Sequence, residues 1–395
     1  MVALVLNRWK GRYAPYRAWL AGFDGVVHVL GETEGLVGDE DGGLVATPVN
    51  LDAPQELSRA LAHFTQQRPS AVVALAEADI LLAATVREHF GCPGQRPRSA
   101  VGFRDKLVMK RVLADGGVQV ADFRPLYSVA DLVLAAERFG YPFMVKHRFG
   151  MGSIGTHEVS AARQFEDLVG KAIPPHQMHS FMAEQYIDGQ MYCVDGVLAG
   201  GAVIFASVSW LSDGLTHLRD EAFVNYIMDQ STPLAQRLKQ VAVSAVLVLA
   251  DHGGDGADFT FHAELFCTPA GQIYVGEVAS RTAGSRVPCT VRHTYGLQLN
   301  AVAAQLQAGL DPDLNVAPSH LTGGYTLPCS TRLPADFRLP PEWDWVLEQA
   351  RTSREVSLPT TYTDSSFEAI ITAADEATLA HRIRQTNALV AKERL

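Results

Sequence analysis

Glu264 and Glu277 lie on either side of Thr268-Pro269-Ala270-Gly271, a run with turn chemistry. The flanking stretches, 258–267 and 272–279, alternate in the two-residue period of a strand. A β-hairpin is expected there. With Cys267 opposite Gln272, Glu264 faces Val275 and His262 faces Glu277, so the two carboxylates become diagonal neighbours on one face, roughly 7 to 8 Å apart at the backbone. Oxygen-only ligands suit Mg²⁺, which keeps several waters and takes one or two carboxylates together with substrate phosphates. Arg281 shares that face if the period continues, which sets a cation where a transferring phosphoryl group would sit. Charged alternation is also what a solvent-facing hairpin shows, and the residues alone leave both readings open.

A second group surrounds Gly150, Gly152 and Gly155, which satisfy GxGxxG. A dinucleotide fold needs a helix directly after such glycines, whereas Thr156 to Ser160 continues as a strand. The expectation is a glycine-tipped hairpin after the strand ending at Lys146. Such a loop can lie over phosphates and offer them backbone N–H groups, because no side chains hold it off. Lys146 would add a point charge. An ordinary surface hairpin fits the same residues. Other chemistry finds no support: the 13 histidines form no HExxH, the serines no GxSxG, and there is no Walker A motif. The five cysteines (Cys92, Cys193, Cys267, Cys289 and Cys329) form no CxxC pair, which argues against a disulfide framework or a zinc ribbon. His157, His217 and His293 carry no assignment, and a structural or surface role is expected for each ahead of catalysis.

These groups need elements to hold them. The 395 residues leave room for two or three domains, and 33 Lys plus Arg against 43 Asp plus Glu, with no basic run, speak against nucleic acid as a partner. Met1 to Lys10 lacks the pattern of a secretory signal, and the longest apolar run, Val241 to Ala250, is too short to span a bilayer. A cytoplasmic protein is expected, with no membrane partner and that run as a buried helix end. Residues 1–98 alternate strands (2–6, 26–30, 44–46 and 71–75) with helices (14–21, 54–66 and 78–90), the last two starting near an Asp able to cap them; a parallel α/β layer is expected. Gly91 to Pro97 breaks the pattern. Residues 99–188 read as a small α+β unit, with helices from Asp105, over 129–139 and over 162–172, and strands at 141–146, 156–160 and 183–187. Residues 189–320 read as a third unit, and 321–395 as an appended subdomain with a strand at 366–371 and a helix over 377–394.

Taken in order, these pieces resemble the ATP-grasp superfamily, most closely its carboxylate-amine ligases of the L-amino-acid ligase and carnosine synthase type. The residues that carry the resemblance are Gly91-Cys92-Pro93-Gly94, Arg104-Asp105-Lys106-Leu107-Val108-Met109-Lys110, Phe143-Met144-Val145-Lys146 with the glycine loop, Glu184-Gln185-Tyr186-Ile187-Asp188-Gly189, and the His262-x-Glu264 and Glu277-x-x-x-Arg281 hairpin. The resemblance implies a multidomain α/β and α+β chain: an ATP-grasp fold with an N-terminal Rossmann-like domain and a C-terminal appended subdomain.

It also implies roles. Lys106 and Lys146 would hold the α- and β-phosphates of ATP, and Gly152 and Ser153 would cover the γ-phosphate. Glu184, Gln185, Tyr186 and Ile187 would form the adenine hinge. Glu264 and Glu277 would bind Mg²⁺, and Arg281, with Lys146, would act on the phosphate and the reacting carboxylate. Two positions depart from the family. Met191 stands where a ribose-binding Glu is usual, with Gln190 as its substitute, and Ala279 stands where a second metal-binding Asn is usual.

The implied reaction joins a small carboxylate, an amino acid or related acid, to an amine by way of an acyl phosphate, with release of ADP and phosphate. The lid that excludes water is expected at Gly150–Gly155 and in Ser207–Asp229. A carrier-protein thiol as acceptor, and a non-catalytic ATP-binding regulator, are the alternatives; a homodimer is a family expectation.

Overall fold

The computed structural model describes residues 1–11, 14–36, 43–212, 222–328, 330–351 and 365–394. Strands β1 (Val2–Asn7), β2 (Val26–Gly31), β3 (Leu44–Pro48) and β4 (Ala71–Ala74) form a parallel sheet in the order β3-β2-β1-β4. Every residue of β1 is buried, as a strand covered on both faces requires. Ala3 and Val5 pack with Trp19 and with Ala303 and Ala304 from the distant helix Leu299–Gln307, while Leu4 and Leu6 pack with Leu57 and Val86 on the other side. The expected aspartate caps are not formed. Ala53 starts the helix Pro54–Ala62 with no side-chain cap, and Asp79, ahead of Ile80–Phe90, is engaged by Arg8 Nε at 2.9 Å. An arginine brought in from β1's end outcompetes a helix N–H for that carboxylate.

Strands β5 (Phe123–Pro125), β6 (Phe143–His147), β7 (Thr156–Val159) and β8 (Phe181–Gln185) make an antiparallel sheet in the order β5-β8-β6-β7. Lys146 pairs with Thr156, so the glycines do cap a hairpin and no helix follows them. The helix Val129–Phe139 covers this sheet with Leu132 and Ala135, and Ser128 and Asp131 form its capping box. The helix expected over 162–172 is instead a series of short turns of changing pitch, Ala162–Gln164, Phe165–Asp167 and Leu168–Ala172.

The third sheet carries eight antiparallel strands: β9 (Gln190–Ala199), β10 (Ala202–Leu211), β11 (Phe223–Ile227), β12 (Phe259–Cys267), β13 (Ile273–Ala279), β14 (Leu321–Pro328), β15 (Val346–Arg351) and β16 (Ser365–Ala373). Their order is β13-β12-β9-β10-β11-β14-β16-β15. Val194, Ala263 and Val278 face the helix Pro233–Gly253, which buries Leu238, Ala242, Val246 and Leu249; the apolar run 241–250 is the inner part of this helix, and Gly254 in the left-handed region ends it. The alternate residues of β9, β12 and β13 point to the opposite face, where the site lies. The segment after residue 320 is less an appendage than a continuation of the sheet: β14 pairs with β11, and the helix Glu376–Glu393 packs beneath through Leu379, Ile383 and Val390. Of the expected lid segment 207–229, residues 207–211 and 223–227 are strand, and 213–221 lie outside the described residues; so do Cys329 and His217. Among the described residues no helix is long and apolar enough to cross a membrane.

Candidate active site

The hairpin β12–β13 has a different register from the one the turn suggests. Cys267 pairs with Ile273 rather than Gln272, and a bulge follows, so that Leu265 pairs with Val275 while Glu264 pairs with Glu277 and His262 with Ala279. Gly276 is the extra residue. A Cβ there would stand 2.8 Å from the Phe266 ring, so a glycine lets the strand kink at this point. The result is stronger than a diagonal: the two carboxylates stand directly across from each other. Arg281 lies just beyond the end of β13 and lines the same cavity as Glu277 and Ala279.

That cavity, about 1160 Å³, runs from the glycine loop past β8 and the 186–191 crossover to β12 and β13. Lys106, Lys146, Gly152, Ser153, Glu184, Gln185, Tyr186, Ile187, Gln190, Glu264, Glu277 and Arg281 all line it, so the residues singled out in the sequence converge on one place. Asp105 caps the helix Lys106–Asp115 by accepting from Leu107 and Val108 N–H, which sets Lys106 in the first turn, aimed at the sheet. Lys106 Nζ donates to Glu277 Oε1 at 2.8 Å and to the Gly150 carbonyl at 2.7 Å. Lys146 Nζ donates to Glu184 Oε1 at 3.1 Å. Gly152, Ser153 and Gly155 all have positive φ, so the loop tip exposes backbone rather than side chains.

Charges here hold one another ionised. Burial opposes ionisation of Glu277, but Lys106, then Lys146 and Arg104, outweigh it and keep its carboxyl below the usual range. Burial likewise works against Glu184, and Lys110 and Lys146 overcome it. The Lys146 ammonium is held above its ordinary value by Glu184, Glu277 and Glu264 in spite of burial. His262 is raised well above the usual imidazole range: burial works against this, and Asp195 and its neighbours prevail.

Four residues were given no role in the sequence reading. Lys110, one helical turn after Lys106, is buried with its ammonium 3.2 Å from Glu184 and 3.0 Å from the Val275 carbonyl; the i, i+4 spacing from Lys106 was the available signal. Glu77, from the loop after β4, is ion-paired with Arg281 and lies 2.6 Å from Arg104, whose other nitrogen donates to the Phe149 carbonyl of the glycine loop. Asp195 accepts from His262 Nδ1 at 3.0 Å. Nothing local in the sequence marks Glu77 or Asp195, and Arg104 was marked only as part of the Arg104–Lys110 segment. Gln190 donates its amide N–H to the Met191 and Leu211 carbonyls, leaving only its side-chain oxygen for a ligand. Gln185 N–H is given to the Asp122 carbonyl.

No protein-family model matches the chain. It is 27% identical over 278 residues to the L-arginine-specific L-amino acid ligase of Bacillus subtilis, covering 69% of this chain and 66% of that protein. It is 24% identical over 234 residues to the carbamoyl phosphate synthase large chain of Thermotoga maritima, covering 58% of this chain and 20% of that one. The matched part thus spans less than two thirds of these relatives. Among solved structures, an L-amino acid ligase from Bacillus licheniformis superimposes with a TM-score of 0.77 at 18% identity, covering 100% of this chain and 97% of that one. A carboxyaminoimidazole ribonucleotide synthase from Aspergillus clavatus, complexed with ATP, gives 0.74 at 16% identity over 100% and 99%. At these identities the likeness is one of fold.

Proposed function

We propose that this chain, an ATP-grasp protein, is an ATP-dependent ligase that activates a small carboxylate, an amino acid or related acid, as an acyl phosphate and joins it to an amine. The observation that carries the proposal is the direct opposition of Glu264 and Glu277 in a cavity that also holds Lys106, Lys146 and Arg281. Paired carboxylates beside three cations suit a reaction in which two anions, a carboxylate and a triphosphate, must be brought together.

The residues fit a divalent cation. Glu277, its carboxyl held below the usual range by Lys106, Lys146 and Arg104, already accepts the ammonium of Lys106, so this position beside Glu264 takes positive charge. Glu264 and Glu277 would hold Mg²⁺, which would offset phosphate charge. Lys146 and Lys106 would neutralise the α- and β-phosphates, and Arg281 the reacting carboxylate and the transferring group. Phosphate competes with Glu277 and Gly150 for the Lys106 ammonium, so filling the site and repositioning the glycine loop draw on one donor. Glu77 steadies Arg281 and, through Arg104, the loop that excludes water from a hydrolysable acyl phosphate. Glu184, the Gln185 carbonyl, Tyr186 and the Ile187 N–H would take the adenine, and the Gln190 side-chain oxygen the ribose that Met191 cannot bond.

The proposal extends to four moving or associating parts. Residues 1–98 and 99–188 are taken as separate units, 189–320 and 321–395 move together because one sheet joins them, and the chain pairs as a homodimer in the cytoplasm. An amine acceptor is preferred over a carrier-protein thiol. The test is ADP release from Mg²⁺-ATP over a panel of amino acids, arginine included, with hydroxylamine present to trap acyl phosphate. A hydroxamate formed with one acid supports the reading. Folded protein that binds ATP but yields neither ADP nor hydroxamate across the panel would overturn it. Mass photometry tests the dimer.

A further inference from the structure

The face of the large sheet that carries the two carboxylates carries a third donor on the next rung. His262 stands directly across from Ala279 on β13 and from Asp195 on β9, one rung from the Glu264–Glu277 pair. Asp195 is completely buried, and both its oxygens are used: Oδ1 accepts from His262 Nδ1 at 3.0 Å and Oδ2 from the Cys193 thiol at 3.3 Å. A carboxylate that accepts the Nδ1–H hydrogen bond keeps the proton on that nitrogen and fixes the ring plane, so Nε2 is the atom turned outward. It points toward Glu264 Oε1 at 3.6 Å, in the cavity that His262 helps to line. That separation is longer than a hydrogen bond. It is close to the spacing of two neighbouring ligand atoms on one ion, about 3.0 Å in an octahedron and about 3.4 Å in a tetrahedron for bonds near 2.1 Å. Ala279, across from the imidazole, lines the same cavity.

We propose that His262, through Nε2, is a third protein ligand to the cation held by Glu264 and Glu277, with Asp195 as the positioning residue that fixes its tautomer. The proposal rests on the metal reading of the two glutamates given above. The Nε2 proton passes to solvent when the cation arrives, and the imidazole supplies the donor that Ala279 lacks. A neutral nitrogen beside two carboxylates makes a mixed donor set, and imidazole favours Mn²⁺ over Mg²⁺. The chain therefore discriminates between the two ions more strongly than an oxygen-only site does. The Cys193, Asp195 and His262 cluster does not itself form a separate centre, because Asp195 is spent on the other two side chains.

The test uses the full chain with Mn²⁺ and ADP and reads electron spin-echo modulation of the bound ion. Protein labelled with ¹⁵N only in histidine separates imidazole nitrogen from that of adenine. Expected are a histidine nitrogen coupling in the wild type, its loss in His262→Gln, and a Mn²⁺ affinity lowered about 100-fold or more in that variant while metal-free ADP binding is unchanged. Asp195→Asn falls between the two, on the order of 10-fold, as outer partners of ligating histidines do. Mn²⁺ bound with ADP but showing no histidine coupling in the wild type would overturn the proposal and leave the two-glutamate site standing. Absence of any Mn²⁺ binding with ADP, unaltered in Glu277→Gln, would overturn the metal reading itself. The wild-type spectrum decides the matter even where a variant folds poorly.

Discussion

Replacing Glu277 by Gln separates a catalytic carboxylate from a structural one, and the structure sets the size of both effects. The amide keeps the shape and removes the charge. On the stability side two terms oppose each other: the 2.8 Å pairing with Lys106 is lost, and the repulsion from Glu264 directly opposite is relieved. The Glu277 side chain is 25% exposed, so each screened term is about 1 kcal/mol and the net change stays within about 1 kcal/mol. In a chain of this size that moves Tm by less than about 3 °C. On the catalytic side the proposed metal site loses one of its two carboxylates. Losing an outer partner of a metal ligand already costs 10- to 100-fold, so losing a ligand itself lowers kcat/KM at least about 100-fold, or about 2.7 kcal/mol. Coupled ADP release at fixed Mg²⁺, with a thermal melt on the same sample, measures both. Turnover within fivefold of wild type, with an unchanged Mg²⁺ response, would refute the reasoning; so would a loss of turnover that merely follows a large drop in Tm.

Lys110→Met leaves Glu184 buried with Lys146 as its remaining cation; a destabilisation of about 3 kcal/mol is expected in denaturant melts, and a change below about 1 kcal/mol would mean the ammonium is not needed there. Acid should unfold the protein through the same cluster. Glu184 and Glu277 have folded pKa values depressed below their unfolded ones, so their contribution is full above about pH 4.3 and drains away as pH falls further. Glu184→Gln should flatten that acid limb in a pH series of melts, and an unchanged slope would contradict the assignment. Gly276→Val drives branched carbons into the Phe266 ring at the bulge, and a stability loss of about 1 to 3 kcal/mol with a disproportionate fall in turnover is expected, since the register that opposes the two glutamates depends on that residue. A variant as active as wild type would show that the bulge is not what aligns the pair.

The two-residue alternation around Glu264 and Glu277, the strand after the glycines, the helix that starts at Asp105, and the β–α alternation of residues 1–98 were all legible in the amino-acid order. Each is a short-range property: backbone geometry repeats every two or 3.6 residues, and a dozen side chains are enough to declare which period holds. The residue types of the site were legible for the same reason, because phosphate and a hard cation call for lysine, arginine, glycine and paired carboxylates wherever they occur. What the order of residues could not decide was closure. A turn count put Glu264 opposite Val275, and the bulge at Gly276, where the Phe266 ring of the facing strand crowds any Cβ, shifted the register and brought the two carboxylates face to face. Glu77 reaches Arg281 from the turn after β4, Asp195 reaches His262 from the strand on β12's other side, and the helix Leu299–Gln307 seals a sheet made by the first residues of the chain. Only the folded chain brings these partners within bonding distance, because a pairing across most of the sequence is chosen by how whole layers pack, and no local window of residues contains that information.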